Sequence, residues 1–159
     1  MPIAVGDRLP DATFIIASPG GPSPATTSDV FAGKTVVLFA VPGAFTPTCS
    51  NQHLPSYLRN YDTVKATGVD TIACVAVNDP FVLAAWAEQT GAAGRILMLS
   101  DGNATFTRAL GLEMDSSRFG MGIRSKRYAM VVNDGVVTRL NVDNPGEFKV
   151  SGAEFTCGL

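Results

Sequence analysis

The chain has 159 residues, 46% of them hydrophobic and 16% charged, which is enough apolar material for one packed core and too little charge for disorder. Twelve basic against fourteen acidic residues leave a net charge of −2, with no basic stripe to bind nucleic acid and no polybasic anchor for a membrane. Three widely spaced cysteines do not make a secreted disulfide framework and fit a reducing compartment, where a cysteine is kept for packing or for chemistry.

In chain order, the opening Met1-Pro2-Ile3-Ala4-Val5-Gly6-Asp7 has no basic or apolar leader pattern. The expected location is therefore cytoplasmic, or an organelle matrix if a targeting peptide has been removed. Ser18-Pro19-Gly20-Gly21-Pro22-Ser23-Pro24 reads as a loop. Thr35–Val41 is a continuous apolar, β-branched run and predicts a strand buried on both faces. Residues 47–66 read as one helix stopped by Gly68, with Pro55 as an internal kink. Val69–Val77 is a second buried strand, Pro80–Thr90 a helix ending at Gly91, and Ile96–Leu99 a short strand. Asn103–Leu110 reads as a helix closed by Gly111. Tyr128–Val132 and Val136–Val142 read as a hairpin turning at Asn133-Asp134-Gly135. Ser151-x-x-Glu154 has the form of a capping box opening a short terminal helix. No apolar run approaches the roughly 20 residues that span a bilayer. The order predicts one domain over residues 1–159, of α/β class, with a central mixed sheet flanked by helices. Its site is expected at the C-terminal ends of the parallel strands.

The segment after the first core strand, Val41-Pro42-Gly43-Ala44-Phe45-Thr46-Pro47-Thr48-Cys49-Ser50, carries the most chemistry. Thr46 before Pro47 reads as a helix cap with proline at the first helical position, which puts Cys49 third in the helix, among the unpaired amides of the first turn. An ordinary cysteine is only a few per cent thiolate at neutral pH, and lowering a thiol by about 2.5 pH units takes roughly 3.4 kcal/mol. A helix N-terminus supplies about 0.3–2 kcal/mol. A guanidinium about 4 Å away adds on the order of 4 kcal/mol, before desolvation, at an effective dielectric near 20. A reactive Cys49 therefore requires an arginine from elsewhere, and the one dense basic cluster is Arg124-Ser125-Lys126-Arg127. The alternative is a cysteine that merely packs in the core. Cys74, within an apolar run, reads as a core residue, and Cys157 as a mobile residue near the end. No Cys-x-x-Cys pair exists. His53, four residues past Cys49, reads either as a partner for the thiol or as a packed neutral imidazole. A zinc site built from Cys49, His53, Cys74 and Cys157 lacks a second closely spaced ligand pair.

Pro42-x-x-x-Thr46-x-x-Cys49 resembles the active-site motif of the peroxiredoxins, and the string from Pro42 to Ser50 resembles that of the atypical type II, peroxiredoxin-5-like subgroup. The similarity runs from Ile3-x-Val5-Gly6-Asp7 through His53-Leu54-Pro55, Val77-Asn78-Asp79 and Arg124-Ser125-Lys126-Arg127-Tyr128 to Leu140-Asn141-Val142, nearly the whole chain. The resemblance implies a thioredoxin-like fold and a thiol peroxidase with neither metal nor other cofactor, reducing hydrogen peroxide and organic hydroperoxides. It implies that Cys49 is the peroxidatic cysteine, Thr46 the hydroxyl touching thiolate and peroxide, Pro42 the shield of the pocket and Arg127 the guanidinium. The implied reductant is thioredoxin, or glutaredoxin with glutathione, and the implied assembly a homodimer through Phe45, Phe119 and Met121. Cys157 and Cys74 both fall near family positions that hold cysteine, so either, or an external thiol alone, is left to resolve the sulfenic acid. A peroxide sensor on the same fold is the alternative reading.

Overall fold

The computed structural model describes residues 2–158. Its centre is a seven-stranded sheet. The first two strands are β1 (Thr13–Ala17) and β2 (Ser23–Thr26), followed by α1 (Thr27–Phe31), β3 (Thr35–Ala40), α2 (Leu54–Arg59), α3 (Tyr61–Ala66) and β4 (Thr71–Ala76). Then come α4 (Pro80–Thr90), β5 (Leu97–Ser100), α5 (Thr105–Leu110), and a small separate ribbon of β6 (Glu113–Asp115) with β7 (Ile123–Ser125). The chain closes with β8 (Tyr128–Asn133), β9 (Val136–Val142) and α6 (Ala153–Thr156). The strand order β2-β1-β5-β4-β3-β8-β9 places β3, β4 and β5 in parallel at the centre, with antiparallel strands on either side. This is the mixed α/β sheet that the sequence predicts.

Period two along β3 explains why both faces are covered. Val37, Phe39 and Val41 pack with Leu54, Tyr57, Val64, Leu83 and Trp86 from α2, α3 and α4. Val36, Leu38 and Ala40 face the other way, onto Val30 and Phe31 of α1 and Phe106 and Leu110 of α5. Each large side chain buried this way contributes about 1.5–3 kcal/mol. The β8–β9 hairpin turns on Asp134 and Gly135, at φ of 48° and 79°, the two left-handed residues that a tight two-residue hairpin requires.

Three expectations are corrected. Ser23 and Pro24 belong to β2 rather than to a loop; β2 is the sheet's outer strand, where proline's missing N–H disrupts no ladder. The single helix over residues 47–66 is instead three segments. Pro55 has no N–H to offer the carbonyl four residues back and its ring crowds it, so the backbone widens into a π-turn over Cys49–His53, with the Leu54 amide reaching the Cys49 carbonyl. A second break follows at Asn60, whose Nδ2 donates to the Ser56 carbonyl at 2.8 Å, a local bond that competes with the helical ladder. Third, the capping box does not form, and Gly152 starts α6 without a side-chain cap. The Ser151 hydroxyl goes to Asp143, while Glu154 accepts from Asn60 at 3.0 Å and Arg59 at 3.4 Å.

Candidate active site

The chain leaves β3 at Val41, whose amide still bonds the Val75 carbonyl of β4, and turns through Pro42–Phe45 into a helical first turn at Pro47. Gly43 matters here through its missing side chain. A Cβ would lie 3.3 Å from both Met121 Cε and Thr46 Cγ2, and 3.4 Å from Arg124 Nη1. The left-handed turn residue is Phe45, at φ 66°. The Ala44 amide donates to Asn78 Oδ1 at 2.9 Å, tying the loop to the end of β4. The first helical bond runs from the Ser50 amide to the Thr46 carbonyl at 2.9 Å. The amides of Thr48 and Cys49 therefore precede the ladder, and the predicted register of Cys49 holds.

Cys49 is fully buried and touches the apolar cluster under α2–α4. Across it stands Arg127, from the segment just before β8, with Nη2 3.2 Å from the sulfur. Its Nη1 donates to His53 Nδ1 at 3.0 Å. Guanidinium nitrogens only donate, so Nδ1 must accept, and the imidazole proton sits on Nε2, which donates to the Ser151 carbonyl at 3.1 Å. Burial, and then the charge of Arg127, push the His53 pKa down to about 3 against the opposing pull of the Ser151 carbonyl and Asp143. His53 is therefore a neutral imidazole at ordinary pH and no general base. It is held between Phe39 and Phe148, at ring-centre distances of 5.0 and 5.2 Å. No carboxylate comes within 4 Å of Arg127 among the described residues, so this nearly buried cation faces a sulfur and a neutral ring.

Arg124 has a different task. Its Nε donates to the Met121 carbonyl at 2.9 Å and its Nη1 to Val77 at 3.0 Å, which binds the β6–β7 ribbon to the end of β4. Thr46 and Pro42 line a cavity of about 550 Å3 together with Arg127. The Thr46 hydroxyl donates its proton to the Gly43 carbonyl at 2.7 Å, leaving oxygen lone pairs to accept. Pro47, Met114, Phe119, Met121 and Pro145 supply a mostly apolar wall, with Lys126 and Arg118 also on the lining.

The other cysteines lie apart from this pocket. All three thiols are free. Cys74 is sealed within β4 beside Phe39, and burial, then the neighbouring Cys49, push its pKa well up. Cys157 is half-buried at the end of α6, and burial pushes its pKa up to about 11 against the pull of Arg139. The cavity beside Cys157 is lined by Thr35 and Val37, at the start of β3, whereas the cavity lined by Pro42, Thr46 and Arg127 lies beyond the strand's end. Pro42 follows Val37 by five residues and Thr35 by seven, about 17–23 Å along a strand at roughly 3.3 Å per residue. A disulfide needs Cα atoms within about 7 Å.

The residues that sequence reasoning missed are those that hold Arg127. His53 carried a signal, its spacing from Cys49, but the π-turn brings the two together only through the guanidinium. The Ser151 carbonyl carried none, because a backbone oxygen looks alike at every position.

The Redoxin family profile matches residues 4–155. The chain is 52% identical over 157 residues to a rice protein named Peroxiredoxin-2E-2, chloroplastic, covering 96% of this chain and 70% of that one. It is 47% identical to rice Peroxiredoxin-2C, covering 96% of this chain and 95% of that protein. Among solved structures, reduced Prx3 of Vibrio vulnificus in complex with hydrogen peroxide superposes with a TM-score of 0.93 at 55% identity, covering 98% of each chain.

Proposed function

Because the chain belongs to the redoxin family and is a peroxiredoxin, a thiol peroxidase, we propose that Cys49 is the sulfur that attacks the peroxide and that Arg127, Thr46 and Pro42 build the site around it. The observation that carries this reading is the 3.2 Å contact between Arg127 Nη2 and Cys49 Sγ. A buried guanidinium with no carboxylate beside it is free to donate to that sulfur and to the oxygens of a bound peroxide.

In the first step the thiolate attacks the nearer peroxide oxygen in line with the O–O bond. An S–O bond forms, the O–O bond breaks, and the departing oxygen takes up a proton and leaves as water or an alcohol. Cys49 is left as sulfenic acid. Charge grows on the departing oxygen only as the bond breaks, so donors aimed at it stabilise the transition state selectively. Arg127 and the amides of Thr48 and Cys49 are those donors. Thr46, whose own proton is engaged by Gly43, accepts from the peroxide O–H and orients it. Pro42 closes the wall against water. Hydrogen peroxide and organic hydroperoxides both fit this scheme, and the apolar wall of Met114, Phe119 and Met121 accommodates an alkyl group.

Regeneration falls to an external thiol. Cys74 is sealed and Cys157 stands at the far end of β3, so a small thiol or a redoxin such as thioredoxin or glutaredoxin condenses with the sulfenic acid, releasing water. A second thiol then frees Cys49. We place this chemistry in a reducing compartment, cytoplasm or organelle matrix, and a homodimer contact at the pocket end through Phe45, Phe119 and Met121, of which Phe45 and Phe119 are exposed.

The test is stoichiometric. Wild-type protein is mixed with one equivalent of peroxide, and sulfenic acid on Cys49 is trapped and located by mass spectrometry. Oxidation much faster than that of free cysteine, abolished in Cys49→Ser, is expected. A rate no greater than that of free cysteine overturns the reading.

A further inference from the structure

We propose that Asp143 is a positioning residue for the reaction, acting through a strap over residues 143–151 that fixes the orientation of the Arg127 guanidinium. The inference rests on Cys49 as the reacting thiol and goes on to ask what holds its partner in place.

The strap begins where β9 ends. The Asp143 amide donates to the Arg127 carbonyl at 2.9 Å, so the two residues are joined through their backbones. The Asp143 side chain, only 4% exposed, then turns back on its own loop. Oδ1 accepts from the amides of Lys149 at 2.9 Å and Val150 at 2.8 Å. Oδ2 accepts from the Ser151 amide at 3.3 Å and from the Ser151 hydroxyl. Four donors converge on one carboxylate, so the far end of the loop is pinned to its start. Burial alone would raise the Asp143 pKa, yet the Ser151 hydroxyl and the three amides hold it below the usual carboxylate range.

What the pin positions is the Ser151 carbonyl, which accepts from His53 Nε2 at 3.1 Å and from Tyr57 Oη at 2.7 Å. That acceptor matters because imidazole has two neutral tautomers. With the proton on Nε2, Nδ1 presents a lone pair to Arg127 Nη1. With the proton on Nδ1, two donors would meet head-on and the guanidinium would have to rotate away from Cys49. The Ser151 carbonyl selects the first tautomer, as outer hydrogen bonds do for other histidines. Phe148, from the same loop, packs 5.2 Å from the His53 ring and limits its tilt. The sequence of contacts is therefore Asp143 to Ser151, Ser151 to His53, His53 to Arg127, and Arg127 to the sulfur. No proton moves along it; only orientation is passed on.

The experiment compares wild type with Asp143→Ala and Ser151→Ala. The second variant keeps the backbone carbonyl and loses only the hydroxyl that anchors it, so it is the one expected to fold without difficulty. Leu110→Ala, a buried change on α5, serves as a destabilised control. Two quantities are read on each folded protein: the second-order rate of Cys49 oxidation by hydrogen peroxide, and the pH profile of Cys49 alkylation followed peptide by peptide. Asp143→Ala is expected to slow oxidation roughly 10–100-fold, the cost of a reacting group misplaced by about an ångström, and to move the alkylation profile to higher pH. Ser151→Ala should show a smaller change in the same direction, and Leu110→Ala should lower the melting temperature without moving the profile. If Asp143→Ala does not fold, Ser151→Ala decides alone. Variants that melt earlier but oxidise and alkylate like wild type overturn the proposal and leave Asp143 a purely structural residue. A wild-type Cys49 that reacts no faster than free cysteine is a separate failure, that of the peroxidase reading itself.

Discussion

Arg127 and His53 share a hydrogen bond, Nη1 to Nδ1 at 3.0 Å, in which the imidazole has to accept, so a histidine four residues from Cys49 serves as a bracket and not as a base. The same guanidinium reaches the Cys49 sulfur with its other nitrogen. One planar fork thus joins the thiol to the protein interior.

Arg127→Lys follows from that fork. A lysine ammonium is a point charge and cannot meet Cys49 Sγ and His53 Nδ1 in the fixed geometry of two parallel donors. Oxidation of Cys49 should slow by about 10²–10³-fold, the usual loss on removing a transition-state donor, with Arg127→Ala at least as slow. Stopped-flow mixing with hydrogen peroxide reads both rates.

Stability should fall with acid in a window set by His53. The unfolded imidazole binds a proton near pH 6.5, but the folded one only near pH 3. Between these values the unfolded state holds the extra proton. Stability is then complete above about pH 6.5 and is lost as pH falls toward 3, with a slope approaching 1.4 kcal/mol per pH unit, roughly one proton's worth. Urea denaturation at pH 7, 6, 5 and 4 measures this, and His53→Gln should flatten the slope in that range.

The cysteines should separate by reactivity. Cys157→Ser should turn over peroxide with an external thiol within about twofold of wild type, since serine is nearly the same size at this half-buried position and the proposed cycle does not use the Cys157 thiol. Native Cys74 should resist alkylation until the protein unfolds, because its thiolate would be created in hydrocarbon. Peptide mapping after timed labelling checks Cys74, and loss of turnover in Cys157→Ser would instead assign that residue a resolving role.

Gly43→Ala should affect activity more than folding. The added methyl meets Thr46 Cγ2 and Met121 Cε at 3.3 Å, side-chain atoms that can yield by a few tenths of an ångström, at a stability cost of about 1 kcal/mol. The yielding atoms belong to the pocket wall, so kcat/KM should drop several-fold while the melting temperature changes little.

Met121→Ala should change selectivity. Shortening the apolar wall removes contact with an alkyl group but not with hydrogen peroxide, at about 0.8 kcal/mol per lost methylene contact. The ratio of kcat/KM for cumene hydroperoxide to that for hydrogen peroxide should fall a few-fold, read in a coupled assay with both substrates.

Much of this molecule is written in local patterns. The apolar runs of β3 and β4, the Asp-Gly turn of the last hairpin and the proline-led helix start are short-range signals, and each appears where it was expected. The motif from Pro42 to Cys49 was legible for the same reason: strand end, turn and helix cap are neighbours in the chain. The bounds failed where local rules compete. Pro55 opened a π-turn where a kink was expected, Asn60 divided a helix that periodicity ran together, and Ser151 chose Asp143 over a cap.

The primary structure by itself determined the fold class, the family and the place of Cys49 in the helical turn that follows β3. Only tertiary structure decided what faces that sulfur: Arg127 is 78 positions from Cys49 in the chain, and the carbonyl that orders its imidazole bracket lies 98 positions from His53. The physical reason is that a hydrogen bond depends on distance and direction in space. Chain spacing encodes those only within a helix turn or a hairpin, and a backbone oxygen carries no residue-specific mark at all.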